Sequence, residues 1–328
     1  MADAIDGSAG TDRATRAAHE IFLLSLLGGD DGPVIDEDLA SVIAELVDVM
    51  VDVRFEAGEF LYREGEPSRD YFFIASGEVE VHGRTLTRVL GDRSIVGAID
   101  AINDRAHAGS AVAMTPVRAL KLPIRAWLEA LEDSFELVQI ILGNMARNGH
   151  ALRTQLPSLA AQDEPESIAR DEPIPSYPMN LVEKILALRK ADPFRRAALQ
   201  ATTTLANLAE EVRLDLGDAL FRKGQLQRHL CVVAAGAVRA THRATGLRQT
   251  TNAGFVINSA ATFASALDEY EIVATKPSIV LEVSLDDVFD VMEEHFEFVR
   301  STMMMLSTDF EKDLIAAGGH NPAGRDVS

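Results

Sequence analysis

The side chains with the most chemistry to offer are few. One cysteine, Cys231, serves the whole chain, which excludes an internal disulfide and any multi-cysteine zinc site. Eight histidines (His19, His82, His107, His150, His229, His242, His295, His320) show no paired spacing of the kind that holds a metal on one helix or loop. The sequence therefore predicts no metal site, and Glu293-Glu294-His295 reads as exposed helix surface. Signatures of catalysis are missing too: there is no Gly-x-Ser-x-Gly elbow, Walker loop, Gly-x-Gly-x-x-Gly or His-Glu-x-x-His. These absences predict a protein that is not an enzyme and carries no cofactor.

Composition narrows the field further. The chain has 328 residues, enough for about two domains, with 47% hydrophobic and 25% charged residues, an ordinary soluble balance. The formal charge of −20 repels phosphate backbones and anionic lipid, so neither nucleic acid nor a membrane surface is an expected partner. No apolar run approaches the ~20 residues of a membrane span. Met1–Asp12 is small and acidic, unlike a signal peptide, so a reducing cytoplasm is the expected location.

What must position any site is a repeated fold. Arg54-Phe-Glu-Ala-Gly-Glu-Phe-Leu-Tyr-Arg-Glu-Gly65 recurs as Arg213-Leu-Asp-Leu-Gly-Asp-Ala-Leu-Phe-Arg-Lys-Gly224. The offset, 159 residues from Gly58 to Gly217, also relates Gly65 to Gly224 and Gly77 to Gly236. Glycine alone takes positive φ cheaply, so three glycines at one offset mean three turns of one geometry. Farther on the offset becomes 161, relating Ala113 to Ala274, Pro116 to Pro277 and Phe135 to Phe296.

Within each copy the same signals follow in order. Helical patterning comes first, over Arg13–Leu27 and Leu39–Val47, then over Leu181–Lys190 and Pro193–Val212. Short alternating strands separated by glycine turns follow, and one long amphipathic helix closes each copy, Ile124 to about Arg153 and Leu285 to about Leu314. The predicted class is α+β, two tandem domains each an antiparallel β-roll flanked by helices. The boundaries are 13–153 and 180–315, joined by an acidic, proline-rich extended linker over 154–179. Disordered ends are expected at 1–12 and 316–328.

The run Gly58-Glu-Phe-Leu-Tyr-Arg-Glu-Gly65-Glu-Pro-Ser-Arg-Asp-Tyr-Phe-Phe-Ile-Ala-Ser-Gly77-Glu-Val-Glu-Val81 closely resembles the cyclic-nucleotide-binding domain family, which includes the cAMP receptor protein and the kinase A regulatory subunits. The resemblance spans Val34–Arg153 and, more weakly, Phe194–Leu314. It implies a pocket of the form Gly-Glu-x-Ala-Leu followed nine residues after the Glu by Arg-x-Ala-Thr/Ser-Val. In that pocket helix amides and the arginine hold the cyclic phosphate, and the glutamate accepts the ribose hydroxyl. Here the first copy retains Gly97 and Ser110, but Ala98 stands at the glutamate position and His107 at the arginine position, where it reads as a loop residue. Arg105 lies two residues from the arginine position. In the second copy Asn258 and Ser259 replace Gly-Glu, Asp268 replaces the arginine and Glu271 the Thr/Ser.

A charge-assisted hydrogen bond is worth ~1.5–3 kcal/mol, so losing both contacts costs on the order of a thousandfold in affinity. The expectation is a regulatory or scaffold protein acting by protein contact, with remnant pockets and at most weak cAMP or cGMP binding. The alternative is a second-messenger receptor in which Gly97, Ser110 and a displaced Arg105 hold nucleotide in the first copy. The closing helices carry apolar steps at Leu131, Phe135, Val138, Leu142, Met145 and again at Met292, Phe296, Val299, Met303, Leu306. Such a stripe suits a seam between chains or between the two copies, or packing on its own β-roll. A protein partner or self-association is expected through it. Arg195-Arg196-Ala197-Ala198-Leu199 is similar to a kinase A pseudosubstrate, but lies in the helical start of the second copy, not ahead of the first. It reads as basic residues on a solvated helix face. No helix-turn-helix follows Leu314, which argues against DNA binding.

Overall fold

A computed structural model describes residues 37–83, 86–155, 174, 176–221, 228–266 and 269–317. The expected helix over Arg13–Leu27, the N-terminal tail, residues 318–328 of the C-terminal one, most of the linker, Gly224 and Asp268 lie outside the described residues, while Ala316 ends a helix rather than starting a tail. Contacts divide the chain into two compact units that meet at Ile141 and Leu142, inside a helix and ahead of the proline-rich segment.

In the first unit, helix α1 (Glu37–Val49) precedes eight strands: β1 (Val51–Phe55), β2 (Phe60–Tyr62), β3 (Asp70–Ser76), β4 (Val79–Gly83), β5 (Thr87–Leu90), β6 (Ile95–Val96), β7 (Gly109–Ala113) and β8 (Val117–Pro123). A five-residue helix, α2 (Ala98–Ile102), sits between β6 and β7. All pairings are antiparallel, in two four-stranded sheets of order β1-β8-β3-β6 and β2-β7-β4-β5. β7 alternates buried and half-buried residues, and its inward side chains join Tyr62, Phe72, Ile74, Val79, Leu90 and Val96 in one core. Each large apolar side chain withdrawn from water there contributes roughly 1.5–3 kcal/mol.

The second unit repeats the plan. Helices α5 (Leu181–Leu188) and α6 (Leu199–Leu208) lead into β9 (Glu210–Leu214), β10 (Ala219–Phe221), β11 (His229–His242), β12 (Arg248–Asn252), helix α7 (Ser259–Phe263) and β13 (Tyr270–Ser284). β11 and β13 run unbroken where the first unit divides the same spans into β3–β4 and β7–β8. Asn180 and Glu183 form a reciprocal capping box that starts α5, satisfying two donors that a helix end leaves open.

The repeat is exact in the backbone where the sequence offset demands it. Gly58 and Gly217 both have φ 90, and Gly77 and Gly236 have φ 97 and 86. Gly58 N donates to Ala113 O at 2.7 Å, and Gly217 N to Ala274 O at 2.9 Å. At Gly77 a Cβ would lie 2.4 Å from Pro116 O, and at Gly236 2.3 Å from Pro277 O, so strand packing as well as φ requires glycine.

Two helix expectations are corrected. The closing helices are each two helices: α3 (Ile124–Asp133) and α4 (Phe135–Gln155), then α8 (Leu285–Glu294) and α9 (Phe296–Ala316). The breaks fall at Ser134 (φ −133, ψ 102) and His295 (φ −136, ψ 78), and the Ser134 hydroxyl accepts the Leu137 amide at 3.2 Å, as a residue starting a new helix does. Pro193–Val212 is not one helix. Residues 193–197 are turns around fully buried Phe194, only Leu199–Leu208 is helical, and β13 captures Glu210–Leu214 as a strand through ladder bonds.

Candidate functional site

The first cassette begins where β6 ends. Gly97, with φ 90, turns the chain into α2, and a Cβ there would meet Asp70 O at 3.1 Å and Tyr62 Cε1 at 3.5 Å. Ala98, the first residue of α2, is half-buried and offers no acceptor for a sugar hydroxyl. His107 is buried rather than a simple loop residue: its ring stacks on Tyr62 with centroids 3.6 Å apart and planes within 7°. The Ser110 hydroxyl accepts the Glu64 amide at 2.9 Å.

The residue that organises this cassette is Asp100, which the sequence reading passed over. Its carboxylate accepts Arg105 Nε at 2.7 Å and the Ala108 amide at 3.1 Å, and lies 3.5 Å from His107 Nδ1. Partial burial pushes its pKa up, but the bonds from His107, Arg105 and Ala108 outweigh this and hold it below the ordinary carboxylate range. The displaced Arg105, which the alternative reading makes a substitute phosphate clamp, thus bonds to an acid of its own cassette. An acid five residues before Arg105 and seven before His107 was the available signal.

The second cassette keeps the backbone and changes the contents. Asn258 takes the left-handed conformation of Gly97 (φ 46) and starts α7, while Ser265 (φ 56) matches Asp104 (φ 50) at the same 161-residue offset. Asn258 is buried with its side chain beside the Tyr270 hydroxyl, and among the described residues its Nδ2 has no hydrogen-bond partner within 3.5 Å. Within this unit the end of α4 lies against the cassette: a Cβ on Gly149 would stand 3.6 Å from the Ala260 methyl. Arg153, one turn from His150, reaches Asp313 Oδ2 at 2.5 Å and Gln249 Oε1 at 3.1 Å. Burial first, then neighbouring Glu269 and Asp313, raise the Tyr270 hydroxyl to about 12 against the lowering effect of Arg153, so it is a neutral phenol. The end of α4 therefore packs beside the second cassette, with Arg153 paired to Asp313 and Gln249. Glu271, expected at the Thr/Ser position, is exposed on β13.

The expected interaction stripe is largely interior. Leu131, Val138, Leu142, Met292, Val299, Met303 and Leu306 are buried in the single chain, while Phe135, Met145 and Phe296 stay half-buried. The seven buried members are 0–4% exposed and packed within the chain, while the three half-buried ones keep some open surface. The Arg195-Arg196 segment is a turn, not a helix face. Arg195 Nη2 donates to Asp192 Oδ2 at 2.7 Å, and Ala197 is buried. Among the described residues no helix is long and apolar enough to cross a membrane.

Comparison with known proteins gives the same two-copy pattern. The family described as Cyclic nucleotide-binding domain matches residues 52–134 and again 211–295, together just over half of the chain. The CRP-like cAMP-activated global transcriptional regulator of Mycobacterium tuberculosis is 26% identical over 136 residues, covering 40% of this chain and 61% of that protein, so less than two thirds of the relative is spanned. Among solved structures, cAMP-bound PfPKA-R aligns over 94% of this chain and 92% of its own with 13% identity and a TM-score of 0.35. The regulatory domain of Toxoplasma gondii PKA with cAMP aligns over 92% and 98% with 14% identity and a TM-score of 0.33. With a duplicated α+β β-roll, a cassette turn and helix in each copy, and the family match on both, this chain belongs to the cyclic nucleotide-binding domain family, in two tandem copies.

Proposed function

We propose that this chain is a non-enzymatic regulatory protein whose cassettes do not take cyclic nucleotide and whose output is contact with another protein. One observation carries the reading: Asp100 holds the Arg105 guanidinium and the Ala108 amide from inside the first cassette. A cyclic phosphate entering there meets a carboxylate already paired with Arg105, and finds neither an arginine at 107 nor a glutamate at 98. Asn258 and Ser259 in place of Gly-Glu, and a neighbouring Arg153 already paired with Asp313 and Gln249, support the same conclusion for that copy. Protein contact then falls to the outer surfaces, since the apolar stripe of the closing helices is occupied within the chain.

The test is a thermal melt of the full chain with millimolar cAMP and, separately, cGMP. An unchanged melting temperature is expected with both. A ligand at 100 times its dissociation constant adds ~2.7 kcal/mol of stability, so a clear rise with either nucleotide overturns the proposal in favour of a second-messenger receptor.

A further inference from the structure

The folded chain brings together three groups that the sequence separates widely. His150 Nε2, on α4, lies 2.9 Å from Glu269 Oε2, and His242 Nε2, at the end of β11, lies 3.2 Å from the same oxygen. The three candidate ligand atoms fall within 4.8 Å of one another. We propose that His150, His242 and Glu269 form a binding site for a divalent metal ion of the zinc class.

Geometry carries the argument. A tetrahedral zinc ion with metal–ligand bonds of ~2.0–2.2 Å needs its ligand atoms about 3.3 Å apart. The two nitrogen–oxygen separations are already close to this and the two Nε2 atoms lie within 4.8 Å of each other, so all three ligands are within reach of one cation. Both imidazoles aim Nε2 at the carboxylate. Their rings are inclined at 58° to each other, and each packs edge-to-face on Tyr270, with centroids 5.9 Å away for His150 and 5.0 Å for His242. The phenol thereby fixes both ring orientations. Donor chemistry agrees, since two imidazoles and one carboxylate suit zinc and its neighbours rather than calcium or magnesium.

An orienting partner is also in place. His242 Nδ1 accepts the Thr245 amide at 3.2 Å and lies 2.9 Å from Thr245 Oγ1, so ligation of a metal through Nε2 moves the ring proton to Nδ1, where the hydroxyl replaces the amide as its partner. The nearby cation does not oppose the site, because Arg153 is matched by Asp313. Side-chain exposure is 7% at His242, 15% at His150 and 49% at Glu269, which gives a dry inner face and a solvent path on one side. Three protein ligands leave a fourth position for water or an exchangeable group. The ion joins three segments of the second unit: the end of α4, the β11–β12 hairpin and the segment that enters β13. The second copy thus exchanges an anion cradle for a cation clamp, and metal binding orders its cassette.

The experiment is calorimetric titration of Zn2+ alone into the untagged full chain after removal of bound metals by a chelator. Absorption spectra with Co2+ follow. One ion per chain is expected, with the visible bands of four-coordinate Co2+ and a raised melting temperature. His150→Ala, His242→Ala and Glu269→Gln are each expected to weaken binding tenfold or more, and Thr245→Val about tenfold as a positioning residue, while His295→Ala binds as the parent does. No stoichiometric binding by the parent overturns the proposal. So does binding that survives His150→Ala and Glu269→Gln unchanged, which means an adventitious ion only. Should His242→Ala fail to fold, those two variants, on the more exposed side of the site, decide the question.

Discussion

Restoring the family pattern in the first cassette, with Ala98→Glu, Asp100→Ala and His107→Arg together, is expected to create a cyclic-nucleotide site where, on the proposed function, the parent has none. Two charge-assisted contacts return at ~1.5–3 kcal/mol each, which alone is on the order of a thousandfold in affinity. Removing the Asp100 carboxylate adds to this. A phosphate charge about 4.5 Å from that carboxylate is repelled by roughly 4 kcal/mol at an effective dielectric of about 20. It also frees the Arg105 Nε and the Ala108 amide that Asp100 now engages. The arginine at 107 enters space now held by an imidazole only 4% exposed and stacked on Tyr62, so the variant is less stable than the parent. Comparing each protein with and without cAMP cancels that cost. At 100 times the new dissociation constant the variant gains ~2.7 kcal/mol, a rise of roughly 5–10 °C for domains of this size. The parent at the same nucleotide concentration is expected not to move. A parent that rises as far as the variant refutes the reasoning, as does a variant that keeps the parent's far-UV spectrum yet stays silent.

Three further outcomes follow from the packing and the charges. The folded-state pKa of Asp100 is depressed, so its contribution to stability is complete above its unfolded value of about 3.9 and is lost as pH falls through the lower folded value. The stability gap between the parent and Asp100→Asn in urea unfolding should therefore be flat at neutral pH and close on acidification below about pH 4. A gap that widens there would contradict the assignment. Gly77→Ala is expected to cost more than Gly58→Ala, because a methyl at 77 meets Pro116 O at 2.4 Å whereas at 58 nothing lies within 4 Å. The left-handed φ alone costs ~1–3 kcal/mol at either place, and equal urea midpoints for the two variants would show that the close approach is relieved elsewhere. Val138→Asp places an unpaired charge at a side chain 1% exposed, so it should destabilise by on the order of 3–5 kcal/mol and leave the mass of the folded protein unchanged by light scattering. A changed mass with an unchanged melt would return the closing-helix stripe to the role of an interface.

The residues differed in how much of this they disclosed. Gly58, Gly77, Gly217 and Gly236 announced the duplication because each occupies a turn that other residues enter only at a cost, and backbone geometry of that kind is written locally. Ala98 and His107 likewise showed that the family's glutamate and arginine are replaced, since a changed side chain is visible without coordinates. Periodicity overran at the helix ends. Ser134 and His295 interrupt runs whose apolar spacing continues across the break, and β13 pulls Glu210–Leu214 out of a helical pattern by pairing that no local signal encodes.

Composition, the repeat and the turn glycines therefore determined by themselves the class, the two copies and the emptied pattern of the first pocket. Which partners the cassette side chains take was settled by packing alone. Asp100 turns inward because α2 is short and its cassette closes back on it through the Ala108 amide. His150 meets Glu269 across 119 residues, and His242 meets it across 27, because a helix end, a hairpin and a cassette loop converge there. Spacing along a chain reports neighbours on one element, whereas a site assembled from three elements exists only once the chain has packed.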